Sequence, residues 1–306
     1  MKTPTRRHFL AASGASLLFP HSETLGEDST AWIDSHVHVW DHDREKYPVA
    51  ASFRDKKIIP PVFSPVELEK EQEGTGVTRT VLIQMSFFEY DNSYMLDVIA
   101  GNPDRYRGVA IVDETQPKVD ATMKKLSEQG VSGFRLYAFP DRVKTWKGSE
   151  GIQKMWKTGG EENLAMCCLT DPLSLPVIDE MAARYPETPL VIDHFARIGM
   201  RGAIDRGELD QLLALARFPK AHVKVSAFYA LGKKAPPYTD LGSMIRELRD
   251  AYGSERLMWG SDCPYQVQDS HSYQASVDLI AKRLNFLNQE EISHIMQNTA
   301  EKVFFS

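Results

Sequence analysis

The chain has 306 residues, 42% of them hydrophobic and 25% charged, with a formal net charge of -6. This predicts an ordinary globular protein with one large core, and a mildly acidic chain without a long Lys/Arg run argues against a nucleic-acid partner. The cysteines, adjacent at Cys167 and Cys168 and single at Cys263, match neither a zinc-ribbon spacing nor a disulfide framework.

In chain order, the first element stands outside the fold. Thr5-Arg6-Arg7-His8-Phe9-Leu10 pairs two arginines ahead of an apolar run that ends at Phe19-Pro20, the pattern of a twin-arginine export signal. That run is too short to anchor the chain in a bilayer, and residues 21–30 read as a polar linker. Residues 1–30 are therefore set apart as signal and linker, and a periplasmic location is expected. Residues 31–306 form a single domain, with no stable membrane span expected after signal removal.

The domain opens on Trp32-Ile33-Asp34-Ser35-His36-Val37-His38-Val39-Trp40. Ile33, Val37 and Val39 fall on one parity and Asp34, His36, His38 and Trp40 on the other, so a strand would turn both imidazoles to the same face. Two neutral imidazoles so placed can ligate a metal, polarise a carbonyl or relay a proton. Further β-rich runs follow at 80–85, 106–112, 133–137, 165–169, 190–193, 221–226 and 256–260. Helix signals lie between them. Ser64-Pro65-Val66-Glu67 is a capping box with proline at the first helical position, and Gly130 stops a helix over 116–129. Asp171-Pro172 opens another that runs toward Tyr185, with Asp171 as its cap. Apolar spacing predicts helices over 241–252 and 273–284, and Asn288 caps a last one to Phe304.

Eight strands alternating with helices predict an α/β chain, a single-domain (β/α)8 TIM barrel with its site at the C-terminal ends of the strands. A doubly wound sheet would want a Gly-rich turn after its first strand. Gly74-Thr75-Gly76 lacks the third glycine and precedes a strand instead.

Applied strand by strand, alternation predicts what points inward. In the second strand Val81, Ile83 and Met85 face the helices and Gln84 faces in; in the fourth Arg135 faces in, and in the seventh Lys224 does. His194 follows the sixth strand and Asp262 the eighth, so both meet His36 and His38 at one mouth. Ionisable groups inside a barrel are costly unless paired or useful. Arg135 or Lys224 also suits a structural ion pair with Asp34 or Asp262, and Asp262 suits a turn before Pro264. Arg197 and Tyr47, on loops near the same mouth, complete the candidates.

These blocks, with Gly133-Phe134-Arg135, Ile192-Asp193-His194 and Trp259-Gly260-Ser261-Asp262-Cys263-Pro264, resemble the amidohydrolase superfamily. The likeness is to its amidohydrolase-related branch of sugar and pyrone-dicarboxylate lactonases, and it spans essentially everything after the signal segment. Many members hold one or two divalent metals with the first-strand pair, a fifth-strand histidine or lysine, a sixth-strand histidine and the eighth-strand aspartate. Here the fifth strand reads Leu164-Ala165-Met166-Cys167-Cys168-Leu169-Thr170, without a histidine, which argues against a binuclear centre. The pyrone branch also carries an arginine after strand seven, where this chain has Ala227-Phe228-Tyr229.

The resemblance implies a hydrolase that opens a lactone of a small carboxylated or hydroxylated compound. Asp262 would be the general base on water. His36, His38 and His194 would polarise the carbonyl, directly or, with Asp262, through one bound Zn²⁺ or Mn²⁺; a metal-free site is equally compatible. Arg135 and Lys224 would fix an anionic or hydroxylated substrate, with Gln84, Tyr47 and Arg197 as further substrate contacts. The alternatives are a metal-dependent decarboxylase on the same scaffold and a non-catalytic exported binding protein. No Gly-x-Ser-x-Gly elbow or His-Glu-x-x-His helix is present.

Overall fold

The computed structural model describes Met1 and residues 31–306; the export signal and linker expected over 1–30 lie outside the described residues. The strands are β1 (Trp32–Val37), β2 (Val77–Ile83), β3 (Tyr106–Ala110), β4 (Val131–Ala138), β5 (Ala165–Thr170), β6 (Leu190–Ile192), β7 (Ala221–Ser226) and β8 (Leu257–Gly260). They form one parallel sheet in chain order. The ring closes where β8 returns to β1. Asp262 N donates to His36 O and His38 N to Cys263 O, both at 2.8 Å. The fold is the expected (β/α)8 barrel.

The helices follow their local signals. Ser64 and Glu67 form the capping box that starts Pro65–Gln72, and Asn288 with Glu291 forms another at Gln289–Ser293. The helix expected over 273–284 is α-helical at Tyr273–Asp278 and widens into a π turn at Leu279–Arg283. Asp171 takes the expected N-cap position, but its side chain makes no capping hydrogen bond. A short 3-10 turn, Pro172–Ser174, precedes the helix Leu175–Arg184, and the Asp171 carboxylate pairs with Arg197 at 2.9 Å. Ser93–Gly101, Glu150–Glu161 and Arg206–Ala214 are further helices, the last two capped by the side chains of Ser149 and Asp205, which accept from Ile152 N and Glu208 N. Among the described residues no helix is long and apolar enough to cross a membrane.

Two apolar shells divide the core. The outer one lies between sheet and helices and takes Leu82, Phe134, Leu136, Ile192, Val223 and Val225. The inner one fills the barrel with Ile33, Val81, Ile83, Val109, Ala165, Cys167, Val191 and Met258, and the C-terminal Val303 and Phe304 seal its floor. Burying a phenylalanine as completely as Phe304 contributes about 2–3 kcal/mol.

This division reverses the orientation expected of β2, and of Ile33 at the start of β1, while Val37 and Val39 take the outer shell. Ile33, Val81 and Ile83 face the interior and Leu82 the helices. A barrel strand is buried on both faces, so apolarity does not say which face is which. In β1 the register shifts between Asp34 and Val37, which lets Ile33 and His36 both turn inward.

Candidate active site

The seam between the first and last strands assembles the site. Asp34 does not enter the mouth; its carboxylate joins the seam, accepting from Ser261 N (2.8 Å), His36 N (3.1 Å) and Tyr273 OH (2.7 Å). Burial lifts this carboxyl to about 6, with the Ser261, Tyr273 and His36 hydrogen bonds opposing the rise. Gly260 allows the close approach: a Cβ there would stand 2.9 Å from His36 Cβ and 3.0 Å from His36 N.

Beyond the strand ends, three turns use left-handed backbone without glycine. His194, Phe195, Ala196 and Arg197 have φ of 51°, 54°, 53° and 60°, Ala227 has 56° and Asp262 has 65°. Each such residue costs roughly 1–2 kcal/mol, and this kind of outlier concentrates at functional sites. The first turn explains His194. Ile192 lies in the outer shell, so the parity expected to bring His194 inward would have turned it away. The left-handed turn carries it back to the mouth.

Four groups converge there. Asp262 Oδ1 lies 3.2 Å from His38 Nε2, 3.5 Å from His36 Nε2 and 3.9 Å from His194 Nε2. Burial would raise the Asp262 carboxyl, but the imidazoles of His194, His38 and His36 outweigh it and hold it well below the usual carboxylate range. Burial, reinforced by Lys224 and His194, keeps His36 well below its ordinary value, and burial also lowers His194. The imidazoles of His36 and His194, held neutral by burial, thus flank an ionised carboxylate. Tyr229 OH donates to Asp262 Oδ2 at 2.7 Å, its phenol pushed up by burial and by that carboxylate.

Donor atoms of His36, His194 and Asp262 lie within 4.8 Å of one another, all buried, a spacing that can hold a divalent ion. His36 Nε2 and Asp262 Oδ1 are buried without a hydrogen-bond partner. His38 Nδ1 lies 2.8 Å from the Ile83 carbonyl, which only accepts, so Nδ1 carries the hydrogen. His38 Nε2 then meets Asp262 Oδ1 at 3.2 Å, a contact that a cation or a proton must bridge. The residues present fit a metal. Among the described residues β5 adds no ligand to this cluster, and Leu169 is its contribution to the cavity wall.

The cluster opens into a cavity of about 590 Å³ lined by His38, Arg135, His194, Arg197, Tyr229 and Asp262, among others. Arg135 arrives as expected, since Phe134 and Leu136 take the outer shell. It is 7% exposed, and its Nε is buried without a partner. Arg197 also reaches the cavity, held by Asp171 and lying 5.3 Å above the Phe139 ring.

Three expected contacts do not reach the cavity wall. Lys224 faces inward as predicted but is fully buried beneath the wall, 3.1 Å from His36 Nδ1 and 3.2 Å from Asp193 Oδ1. It cannot touch a substrate in this geometry. Gln84 alternates with the inward Ile83 and turns away, its amide donating to Asp91 O and accepting from Met85 N. Tyr47 packs on Tyr94 and donates to Asp97 Oδ2 at 2.7 Å. Sequence reasoning gave no role to Asp193 and Tyr229. Asp193 follows the inward Val191 by two positions, so a correct inner-face assignment for β6 would have found it. Tyr229 had no signal beyond its place after β7.

Known proteins resemble the chain over most of its length. The profile of the amidohydrolase family matches residues 33–305. An L-fucono-1,5-lactonase of Burkholderia ambifaria is 27% identical over 245 residues, covering 78% of this chain and 82% of that protein. A solved structure from Pseudomonas putida, provisionally designated a 2-pyrone-4,6-dicarboxylic acid hydrolase, superposes with a TM-score of 0.76 at 25% identity, covering 90% of this chain and 98% of that one. An amidohydrolase from Burkholderia multivorans solved with zinc bound shares the fold, with a TM-score of 0.70 at 19% identity, covering 90% and 99% of the two chains.

Proposed function

This chain belongs to the amidohydrolase family, and from that premise we propose that it hydrolyses a lactone of a small carboxylated or hydroxylated compound. The observation that carries the reading is one carboxylate oxygen, Asp262 Oδ1, ringed by three imidazole nitrogens at the edge of a cavity. Two relatives named as acting on lactones support the substrate class.

In this proposal Asp262 accepts a proton from water as the water attacks the ester carbonyl, with Tyr229 holding the second carboxylate oxygen so that Oδ1 faces the reacting centre. General-base assistance of this kind contributes roughly 10²–10⁴-fold. The imidazoles of His36 and His194 stabilise the tetrahedral oxyanion, and His38, its Nδ1 hydrogen given to Ile83 O, would act there through a bound cation. Zn²⁺ or Mn²⁺ bound by Asp262 and the imidazoles would supply Lewis-acid polarisation and a more acidic water. Arg135 pairs with an anionic group of the substrate, which relieves a buried guanidinium of its missing partner, and Arg197 lines the approach. An ester leaving group asks less of the site than an amide. The proposal includes export, on the strength of Arg6 and Arg7 ahead of a short apolar run.

The test is acid release from a panel of sugar lactones and carboxylated pyrones, with protein stripped by chelator and then resupplied with zinc or manganese. Turnover of at least one lactone above the Asp262→Asn background is expected. Ligand binding without turnover in every metal condition would overturn the reading.

A further inference from the structure

A second cavity, of about 580 Å³, lies at the same end of the barrel, over the C-terminal ends of β2, β3 and β4. It shares Ser86, Arg135 and Tyr137 with the cavity that holds Asp262, so the two chambers meet along one wall. Each is large enough for a small ligand by itself. The wall follows from β4. Arg135 and Tyr137 alternate along the strand and share its inner face, and the Arg135 guanidinium lies 5.6 Å from the Tyr137 ring centre. Phe139, the next residue of that parity, stacks on Tyr137 with ring centres 6.5 Å apart. Arg135 is buried, its Nε has no partner, and it borders both chambers.

The chambers differ in charge. Among the described residues, Asp262 is the one carboxylate lining the first, which also carries Arg135, Arg197 and Lys234. The second sets Glu89, Glu114 and Asp141 among aromatic rings, with Arg142 as a cation of its own. Glu89 is brought round by left-handed backbone, with φ of 48°. Glu114 is hemmed in by the helix Glu150–Glu161, where a Cβ on Gly151 would collide with the Glu114 carbonyl. Carboxylates offer only acceptors and so receive hydroxyl donors, while aromatic rings cover the apolar faces of a ligand. A ring bearing several hydroxyls matches both.

We propose that the second chamber is a subsite for a sugar ring carried on the lactone, so that the substrate is the lactone of a disaccharide acid. The inference rests on the hydrolase reading. The lactone ring sits beside Asp262 and the glycosidic link passes over Tyr137. The second ring lies against Phe139 and Tyr90, its hydroxyls given to Glu89 and Glu114. Water opens the lactone ester, and the glycosidic bond stays intact. Arg135, on the shared wall, meets a carboxylate on either ring.

The test uses full-length protein with the 1,5-lactones of cellobionic, maltobionic and lactobionic acids beside glucono-1,5-lactone, each rate corrected for spontaneous opening. At least one disaccharide lactone should exceed the glucose lactone in kcat/KM by roughly 10-fold, the worth of one good hydrogen bond. Tyr90→Ala, at a half-exposed ring, and Glu114→Gln should each reduce that ratio. Equal kcat/KM for all of these lactones, or a ratio unmoved in both variants, overturns the subsite and leaves the hydrolase reading standing. Binding of cellobiose, maltose and lactose, read by saturation-transfer NMR, needs no turnover. Should every lactone prove inert, disaccharide binding that is lost in Tyr90→Ala would defeat the hydrolase reading and keep the subsite. No disaccharide binding would then defeat both.

Discussion

At the floor of the barrel, Val81, Val109 and Val191 pack with Val303 and Phe304, apolar surface against apolar surface. At the mouth, a few residues further along the same strands, His36 Nε2, Asp262 Oδ1 and Arg135 Nε are buried without partners, and the backbone turns through left-handed residues. One end satisfies its groups internally; the other holds groups that only a ligand can satisfy. Barrels of this kind separate stability from chemistry along the strand direction, and here the separation can be tested residue by residue.

The largest effects should divide cleanly. Phe304→Ala should cost about 4 kcal/mol of stability by opening a cavity at the floor, measured by denaturant titration, while the folded fraction keeps its kcat/KM. Asp262→Asn should do the reverse, lowering lactone turnover roughly 10³-fold, about 4 kcal/mol in the barrier, with the unfolding midpoint nearly unchanged. If Phe304→Ala lowers turnover of the folded fraction as much as it lowers stability, the two ends are coupled and the contrast fails.

A titration at the floor sharpens the same contrast. Burial lowers His222 from 6.5 to about 4, so the folded protein resists a proton that the unfolded chain accepts. That contribution is present above pH 6.5 and is lost as pH falls toward 4, amounting to about 3 kcal/mol at the low end. Denaturation curves of wild type and His222→Gln across this window should diverge with that sign, and parallel curves would refute it. At the mouth, Arg135→Gln should lower kcat/KM for a carboxylated lactone roughly 10- to 100-fold, about 2 kcal/mol, and spare a neutral lactone. Its melting temperature should hold or rise, since an unpaired buried cation has been removed. Smallest of all, Tyr229→Phe should lower kcat roughly 10-fold, about 1 kcal/mol, by freeing Asp262 Oδ2; no change would place the hydroxyl outside the reaction.

Much of the fold was legible because strand runs and caps are local. The run expected at 221–226 is β7 as observed, and the Ser64–Glu67 box starts its helix where predicted. The faces of β2 and of the start of β1 were not legible, because Ile33, Val81 and Ile83 are as apolar as the residues turned to the helices. Gln84 was misplaced for that reason. The mouth was half legible. His36, His38, Arg135 and Asp262 could be placed from alternation, but His194 reaches the site through a backbone hand that no glycine announces. Lys224 was read as a substrate contact because alternation gives direction without depth. Position along the strand and the His36 ring above it decide that it stays covered.

The seam at Asp34 has a consequence for the order of events during synthesis. The segment bearing His36 and His38 emerges near the beginning of the domain, and Asp262 only after the eighth strand has been made. Until the ring shuts, the imidazoles have no carboxylate to surround and the carboxylate has no cradle. A partly made chain is therefore chemically silent, and competence arrives with the last strand.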